Sequence, residues 1–366
     1  VVSWAGEARV LGRQTLVTSP LVARRASDAG ALRDLLLASG LPDHEPLYIV
    51  KPTWHGRAPG TFTDAVALDL LLAALHPGTA LVVEGYTSGR NDGSRAVDWN
   101  ADPRPHWDWI RAQDRLYLEQ TGLAAVMERH GARYLSITEE VWSGRVAPAG
   151  DVTALVRRTH GPLANPELAG LVPSLLYDLR GAPLISLARF KGTMRLATMN
   201  LFGLIPDVLR VRWHGEDDLG LMRSMVDLAM LYGSLFRLHG VVEAITAAVH
   251  WRETGAHRSR WGRYDLVERP GVVVAGPNLG AVDAYCELLQ GYDPTQCLYL
   301  WVLADAFGAW QLPAPEEIPV ELSAALDPEG IAPAARLAAG QRLRRPPGAH
   351  AHAVPYGRDG TDSQVP

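Results

Sequence analysis

The chain has 366 residues, with 35 basic and 40 acidic side chains and a formal charge of -5, and only two of the 35 basic residues, Lys51 and Lys191, are lysines. That charge excludes the clustered positive surface that general nucleic-acid binding needs, so no nucleic-acid partner is expected. With 47% hydrophobic and 20% charged residues, the sequence has the composition of a globular protein with a sizeable core, not of a disordered or fibrous chain.

Six short apolar runs read as strands: Leu47 to Val50, Ala80 to Val83, Ala132 to Ile137, Pro183 to Leu187, Leu235 to Leu238 and Gly271 to Ala275. After the first lies Asp64 to Leu75, apolar nearly all round and read as a buried helix. After the second, Ser88 to Pro105 is polar and irregular and reads as a long loop. Asp108 to His130 follows as a helix with Leu116, Leu123 and Met127 on one face.

Acidic residues 216 to 218 open a further helix with Gly233 as its stop, and Asn278 opens and Gly291 closes another. Between them His250 to Pro270 reads as a second long loop, rich in Arg, Gly and Trp. From Gln341 the chain loses apolar periodicity, and the tail 341–366, with its His350 and His352, is expected to be disordered.

Strands alternating with helices imply a doubly wound α/β fold: a mainly parallel sheet with helices on both faces, Rossmann-like, as a single domain over 1–340. The dinucleotide fingerprint Gly-x-Gly-x-x-Gly is missing, as are the Walker-type loop, the Gly-x-Ser-x-Gly elbow and His-Glu-x-x-His. Two cysteines, Cys286 and Cys297, are too few for a disulfide framework, a four-thiolate zinc site or an iron–sulfur cluster. No cofactor or metal is therefore expected. No apolar run reaches the roughly 18 residues of a membrane span, and the opening stretch carries Glu7 and Arg9, unlike a signal peptide. A cytoplasmic protein without membrane contact is the expectation. The sequence leaves the oligomeric state open.

In such a sheet, ligands bind beyond the carboxyl ends of the strands. The first strand ends in Lys51, Pro52, Thr53, Trp54 and His55, the second in Glu84 and Gly85, and the fourth in Arg189, Phe190, Lys191, Gly192 and Thr193. The fifth ends in His239 and the sixth in Asn278. Both lysines thus fall on the ligand edge. Arginine stays charged inside a protein, whereas a lysine amine can be tuned to lose its proton or can form a Schiff base. Neutrality at pH 7 takes a shift of roughly 3 pKa units, about 4 kcal/mol. The plainer alternative is a lysine that holds an anion as a point charge.

Glu84 would lie beside Lys51 if their strands are neighbours, and the pair is either an acid and base or a salt bridge. Asp64 follows Thr63 and is placed to cap the next helix. His55 and His214 adjoin glycine and tryptophan and are candidate acids or bases. Asp283, Glu287 and Gln290 share a helix face that reads as solvated.

Together these segments resemble the domain-of-unknown-function 362 family. The resemblance is carried by Lys51-Pro52-Thr53, Gly60-Thr61-Phe62-Thr63-Asp64, Glu84-Gly85, Ser186 to Thr193, Met199 to Pro206 and Val274 to Asp283, across residues 45 to 310. It implies Lys51, Lys191, Asn200 and Asp283 as one constellation. The ferredoxin-like module of many relatives does not transfer, because its cysteines are missing here. Threonine at 53 and methionine at 199 also depart from the family's Asn and Lys.

The leading expectation is a cofactor-independent enzyme, of isomerase, lyase or cyclase type and placed in secondary metabolism. It acts on a small anionic or carbonyl-bearing metabolite by lysine-assisted proton transfer. Lys51, Lys191, Glu84 and His55 carry the chemistry, and Thr53, Trp54, Thr63, Thr193, Asn200, His214, His239, Asn278 and Asp283 bind the substrate. The segments 88–105 and 250–261 are candidate lids. The alternatives are a binding or accessory protein without catalysis, and a flavin- or metal-dependent redox protein using Asp64, Glu84 and Asp283.

Overall fold

A seven-stranded sheet organises the chain, in the order β2-β11-β7-β6-β3-β4-β5. These strands are β2 (Val22–Arg25), β3 (Tyr48–Pro52), β4 (Ala80–Glu84), β5 (Arg133–Ser136), β6 (Pro183–Arg189), β7 (Arg237–Ala244) and β11 (Val272–Gly276). The computed structural model describes residues 9–11, 20–75, 80–92, 94, 104–192, 196–206, 210, 213, 218–259, 262–308, 310–313 and 317–327. The 341–366 tail, Thr193, His214 and most of the 88–105 segment lie outside them.

The five strands β5, β4, β3, β6 and β7 pair in parallel, and β11 and β2 add antiparallel to the β7 side. The α/β expectation is met. Two hydrophobic cores cover the two faces, as a doubly wound sheet requires. Helices Ala29–Ala38, Ala65–Ala74, Trp107–Gln120 and Leu123–Arg129 pack on one face. Helices Ala149–Thr159, Asp218–Leu235, Leu279–Leu289 and Leu298–Phe307 pack on the other. No helix among the described residues is long and apolar enough to cross a membrane.

The winding reverses at β3. The chain steps from β3 outward to β4 and β5, then returns to place β6 on the other side of β3. Helix Ala65–Ala74, after β3, covers one face. The segments after β6, Ala197–Asn200 and Asp218–Leu235, cover the opposite face. Neighbouring strands whose connections leave to opposite faces open a crevice at their carboxyl ends.

Several expectations need correction. The fifth strand is not Leu235 to Leu238 but Arg237–Ala244, because the preceding helix runs through Gly233 to Leu235. Gly233 is not a stop: a Cβ there would sit 3.0 Å from Phe307, so the glycine admits close packing. The helix expected over 108–130 is two, broken where Gly122 takes φ 73°.

The predicted loop over 250–270 is largely a three-stranded antiparallel sheet. It consists of β8 (Ala247–Trp251), β9 (His257–Ser259) and β10 (Gly262–Glu268) in the order β8-β10-β9. Its polar face hid the strand pattern. Buried Tyr264 ties it to the body by donating to the Pro59 carbonyl at 2.8 Å. Two three-residue strands, β1 (Arg9–Leu11) and β12 (Trp310–Leu312), pair separately.

Candidate functional site

Lys51 is the next-to-last residue of β3, one strand over from Ser186 of β6, with which it is in register. Its side chain is buried, at 1% exposure. The ammonium donates to the Pro52 carbonyl at 2.6 Å, to Glu84 Oε2 at 2.8 Å and to Asn200 Oδ1 at 3.2 Å. All three of its protons are therefore used. Burial lowers the Lys51 pKa to about 8, with Glu84 opposing the shift.

Glu84, at the end of β4, also accepts from the backbone N–H groups of Trp54 at 3.2 Å and Gly85 at 3.0 Å. The Lys–Glu pairing expected from neighbouring strands is present. It is a closed ion pair with hydrogen bonds on both partners.

Asn200 completes this node. Its Nδ2 donates to the Lys51 carbonyl at 2.7 Å and to Ser186 Oγ at 3.1 Å, and its Oδ1 also accepts from Thr53 Oγ1 at 2.9 Å. Three residues later the chain presses against the pair at Gly203. A Cβ there would lie 2.1 Å from Glu84 Oε1 and 2.5 Å from Lys51 Nζ, so only glycine fits.

Arg189 ends β6 with no exposed side-chain area. It meets Glu243 at 2.9 Å and Asp64 at 2.8 Å, and donates to Thr246 Oγ1 at 2.8 Å. Asp64 doubles as the expected cap, accepting from Ala67 N at 3.0 Å. It also accepts from Thr246 Oγ1. Burial pushes the Glu243 carboxyl up to about 8 against the pull of Arg189.

Lys191 lies two residues beyond Arg189. Here the chain changes neighbours: Phe190 N donates to the Glu243 carbonyl of β7, and Lys191 then bridges to Val249 of β8. Lys191 is 8% exposed. Its amine has neither a hydrogen-bond nor an ion-pair partner among the described residues. Burial, with the positive charges of Arg189 and Lys51, lowers its pKa to about 7.

The other expected residues divide. Thr53 and Thr63 close the loop that holds His55: Thr53 N donates to Thr63 Oγ1 at 3.1 Å and Thr63 N to the Thr53 carbonyl at 2.9 Å. His55 sits half-buried within this loop. The Trp54 indole is fully buried and donates to the Thr63 carbonyl at 2.9 Å, so it is core.

Asp283, Glu287 and Gln290 are not solvated, since their helix is buried all round. Asp283 accepts from Ala197 N at 2.7 Å and Thr198 N at 3.2 Å. It thus fixes the turn that carries Asn200 without touching the lysines itself. Burial raises its pKa to about 7.

His239 and Asn278 do not join the crevice. β7 begins at Arg237, so His239 lies early in the strand. There its Nε2 meets Ser39 Oγ at 3.0 Å, and burial lowers its pKa to about 4. β11 is antiparallel to β7, so its carboxyl end points to the opposite edge of the sheet. There Asn278 caps its helix through Ala281 N at 3.0 Å and lines a cavity of about 270 Å³ with Phe236, Leu303 and Phe307.

Among residues not singled out in advance, Arg90 is fully buried. It donates to the Gly85 carbonyl at 2.6 Å and pairs with Asp114 at 2.8 Å, bracing the end of β4. His250 donates from Nε2 to the Leu326 carbonyl at 2.8 Å when Nε2 carries the proton, which leaves Nδ1 as an acceptor near Gly192. Ser186, Arg189 and Gly203 were visible in the motif blocks, whereas Glu243 was hidden by the misplaced fifth strand.

Asp64, Glu84 and Asp283 are each bound to a different partner and are not assembled as one ligand set. Among the described residues no group of three or more His, Cys, Asp or Glu side chains is placed to hold a metal ion. No family model matches the chain, and no curated protein or solved structure matches it.

Proposed function

We propose that this chain is a cofactor-independent enzyme that moves a proton on a small anionic or carbonyl-bearing metabolite, with Lys191 as the acid–base group. The supporting observation is the contrast between the two lysines. Lys51 is saturated by three acceptors, while the amine of the buried Lys191 has the positive charges of Arg189 and Lys51 about it and no acceptor among the described residues. A catalytic base works best when its pKa lies near the working pH.

In this reading Lys191, as the free amine, takes a proton from the carbon next to a carbonyl and returns it elsewhere on the substrate. The positive charges of Arg189 and Lys51 help lower the amine's pKa. Lys51, Glu84 and Asn200 act as a fixed frame, with the Lys51–Glu84 pair kept intact through the cycle. Kinship with the domain-of-unknown-function 362 family belongs to the same proposal and rests on the motif residues.

Solvent exchange tests the reading without knowing the product. The protein is incubated in heavy water with a panel of small 2-oxo acids, keto sugars and their phosphates, and deuterium entering the carbon next to the carbonyl is followed by NMR. Wild type is expected to label at least one member, and Lys191→Met to lower that rate by about 10²- to 10⁴-fold. Labelling that persists at the wild-type rate in Lys191→Met, or none with any member, contradicts the reading.

A further inference from the structure

An amine that is neutral near pH 7 is a nucleophile as well as a base. The surroundings of Lys191 favour attack as well as proton transfer. Glu84 is engaged by Lys51 and both Asp64 and Glu243 by Arg189, and no carboxylate among the described residues pairs with Lys191. The backbone on either side of Lys191 is anchored, because the Phe190 and Gly192 N–H groups donate to the carbonyls of Glu243 and Val249 on neighbouring strands. Burial near Arg189 and Lys51 keeps the amine's pKa low.

We propose that Lys191 forms a covalent imine with a small 2-oxo acid. This rests on the proton-transfer reading and adds a bond to it. The Nζ lone pair attacks the carbonyl carbon, the carbonyl π pair moves to oxygen, and a proton passes from nitrogen to that oxygen to give a carbinolamine. After a second protonation the oxygen leaves as water while nitrogen forms the C=N bond, with no change of oxidation state.

The iminium is cationic at a place where no acceptor among the described residues waits. A substrate that brings its own carboxylate next to the new bond supplies the missing negative charge. This selects 2-oxo acids over simple aldehydes and ketones. Once bonded, the nitrogen has no lone pair left for a proton, so the iminium acts as the electron sink and the proton of the neighbouring carbon passes to solvent water.

Reductive trapping tests the bond on the intact chain. Glyoxylate and cyanoborohydride are added at pH 7, and the two lysine peptides are quantified by mass spectrometry. At pH 7 an ordinary lysine is neutral in only about 0.04% of molecules, against about half for a pKa near 7. Lys191 is expected to label at least tenfold faster than Lys51, whose amine is closed off by three acceptors, tenfold faster than itself in urea-unfolded chain, and faster with glyoxylate than with acetaldehyde.

Equal rates for the two aldehydes overturn the choice of 2-oxo acids. Competitive acetylation across pH reads the titration of Lys191 separately. If Lys191 titrates near neutrality but takes no glyoxylate label, the imine is overturned and proton transfer stands. If it titrates as an ordinary lysine, both readings are overturned.

Discussion

Lys51→Met is expected to destabilise the protein by roughly 3–5 kcal/mol, the usual cost of leaving one member of a buried ion pair alone. Methionine nearly fills the same space, so little of the loss comes from packing. The loss comes from Glu84, whose Oε2 keeps only the Trp54 N–H, and from Asn200 and the Pro52 carbonyl, which each lose a donor. Gly203 packs so closely that the structure has no room to admit a compensating group. The double variant Lys51→Met with Glu84→Gln is expected to recover part of the loss, because it removes the stranded charge. Urea unfolding of wild type and both variants measures this. A single variant within about 1 kcal/mol of wild type would show that the pair does not hold the strand ends together.

The opposite sign is expected for the second lysine. In unfolded chain a lysine has its ordinary pKa of 10.5, whereas burial beside Arg189 and Lys51 lowers that of folded Lys191 to about 7. Between these values the unfolded state binds more protons, so wild-type stability rises as pH increases from about 7 to 10, and the full penalty is present below 7. Lys191→Met removes the penalty. It is expected to be more stable than wild type by on the order of 3–5 kcal/mol at pH 6, with the difference shrinking towards pH 10. Lys51 contributes a rise of the same sign above about 8, common to both proteins, so the difference between them isolates Lys191. A group retained despite a stability cost is the pattern of a functional residue.

The parts of this site legible in the sequence were those fixed by strand ends. Lys51 and Glu84 follow runs of apolar β-branched residues, and parallel neighbours bring such ends together. Asp64 read as a cap because Asp before an apolar helical run has one common use. Both lysines stood out because arginine fills every other basic position.

What the sequence concealed was set by long-range pairing. His239 looked like a strand end because the apolar run 235–238 belongs half to a helix end and half to a strand start. Asn278 was misdirected because nothing local tells whether a strand runs parallel or antiparallel. Asp283, Glu287 and Gln290 read as solvated because charge spacing along a helix does not reveal that other elements cover it. The saturation of Lys51, and the lack of an acceptor for Lys191 among the described residues, depend on groups up to 149 residues away in sequence. Local pattern cannot carry that distinction.

In the proposed mechanism Lys191, and not Lys51, is the free and tuned amine. Its most direct test is a pH titration of the protein grown with isotopically labelled lysine, followed at Cε by NMR. Two side-chain signals are expected from two lysines, assigned with Lys191→Arg. A midpoint near 7 is expected for Lys191, with the ordinary lysine value returning in urea. A native midpoint above about 10 for Lys191 would contradict it.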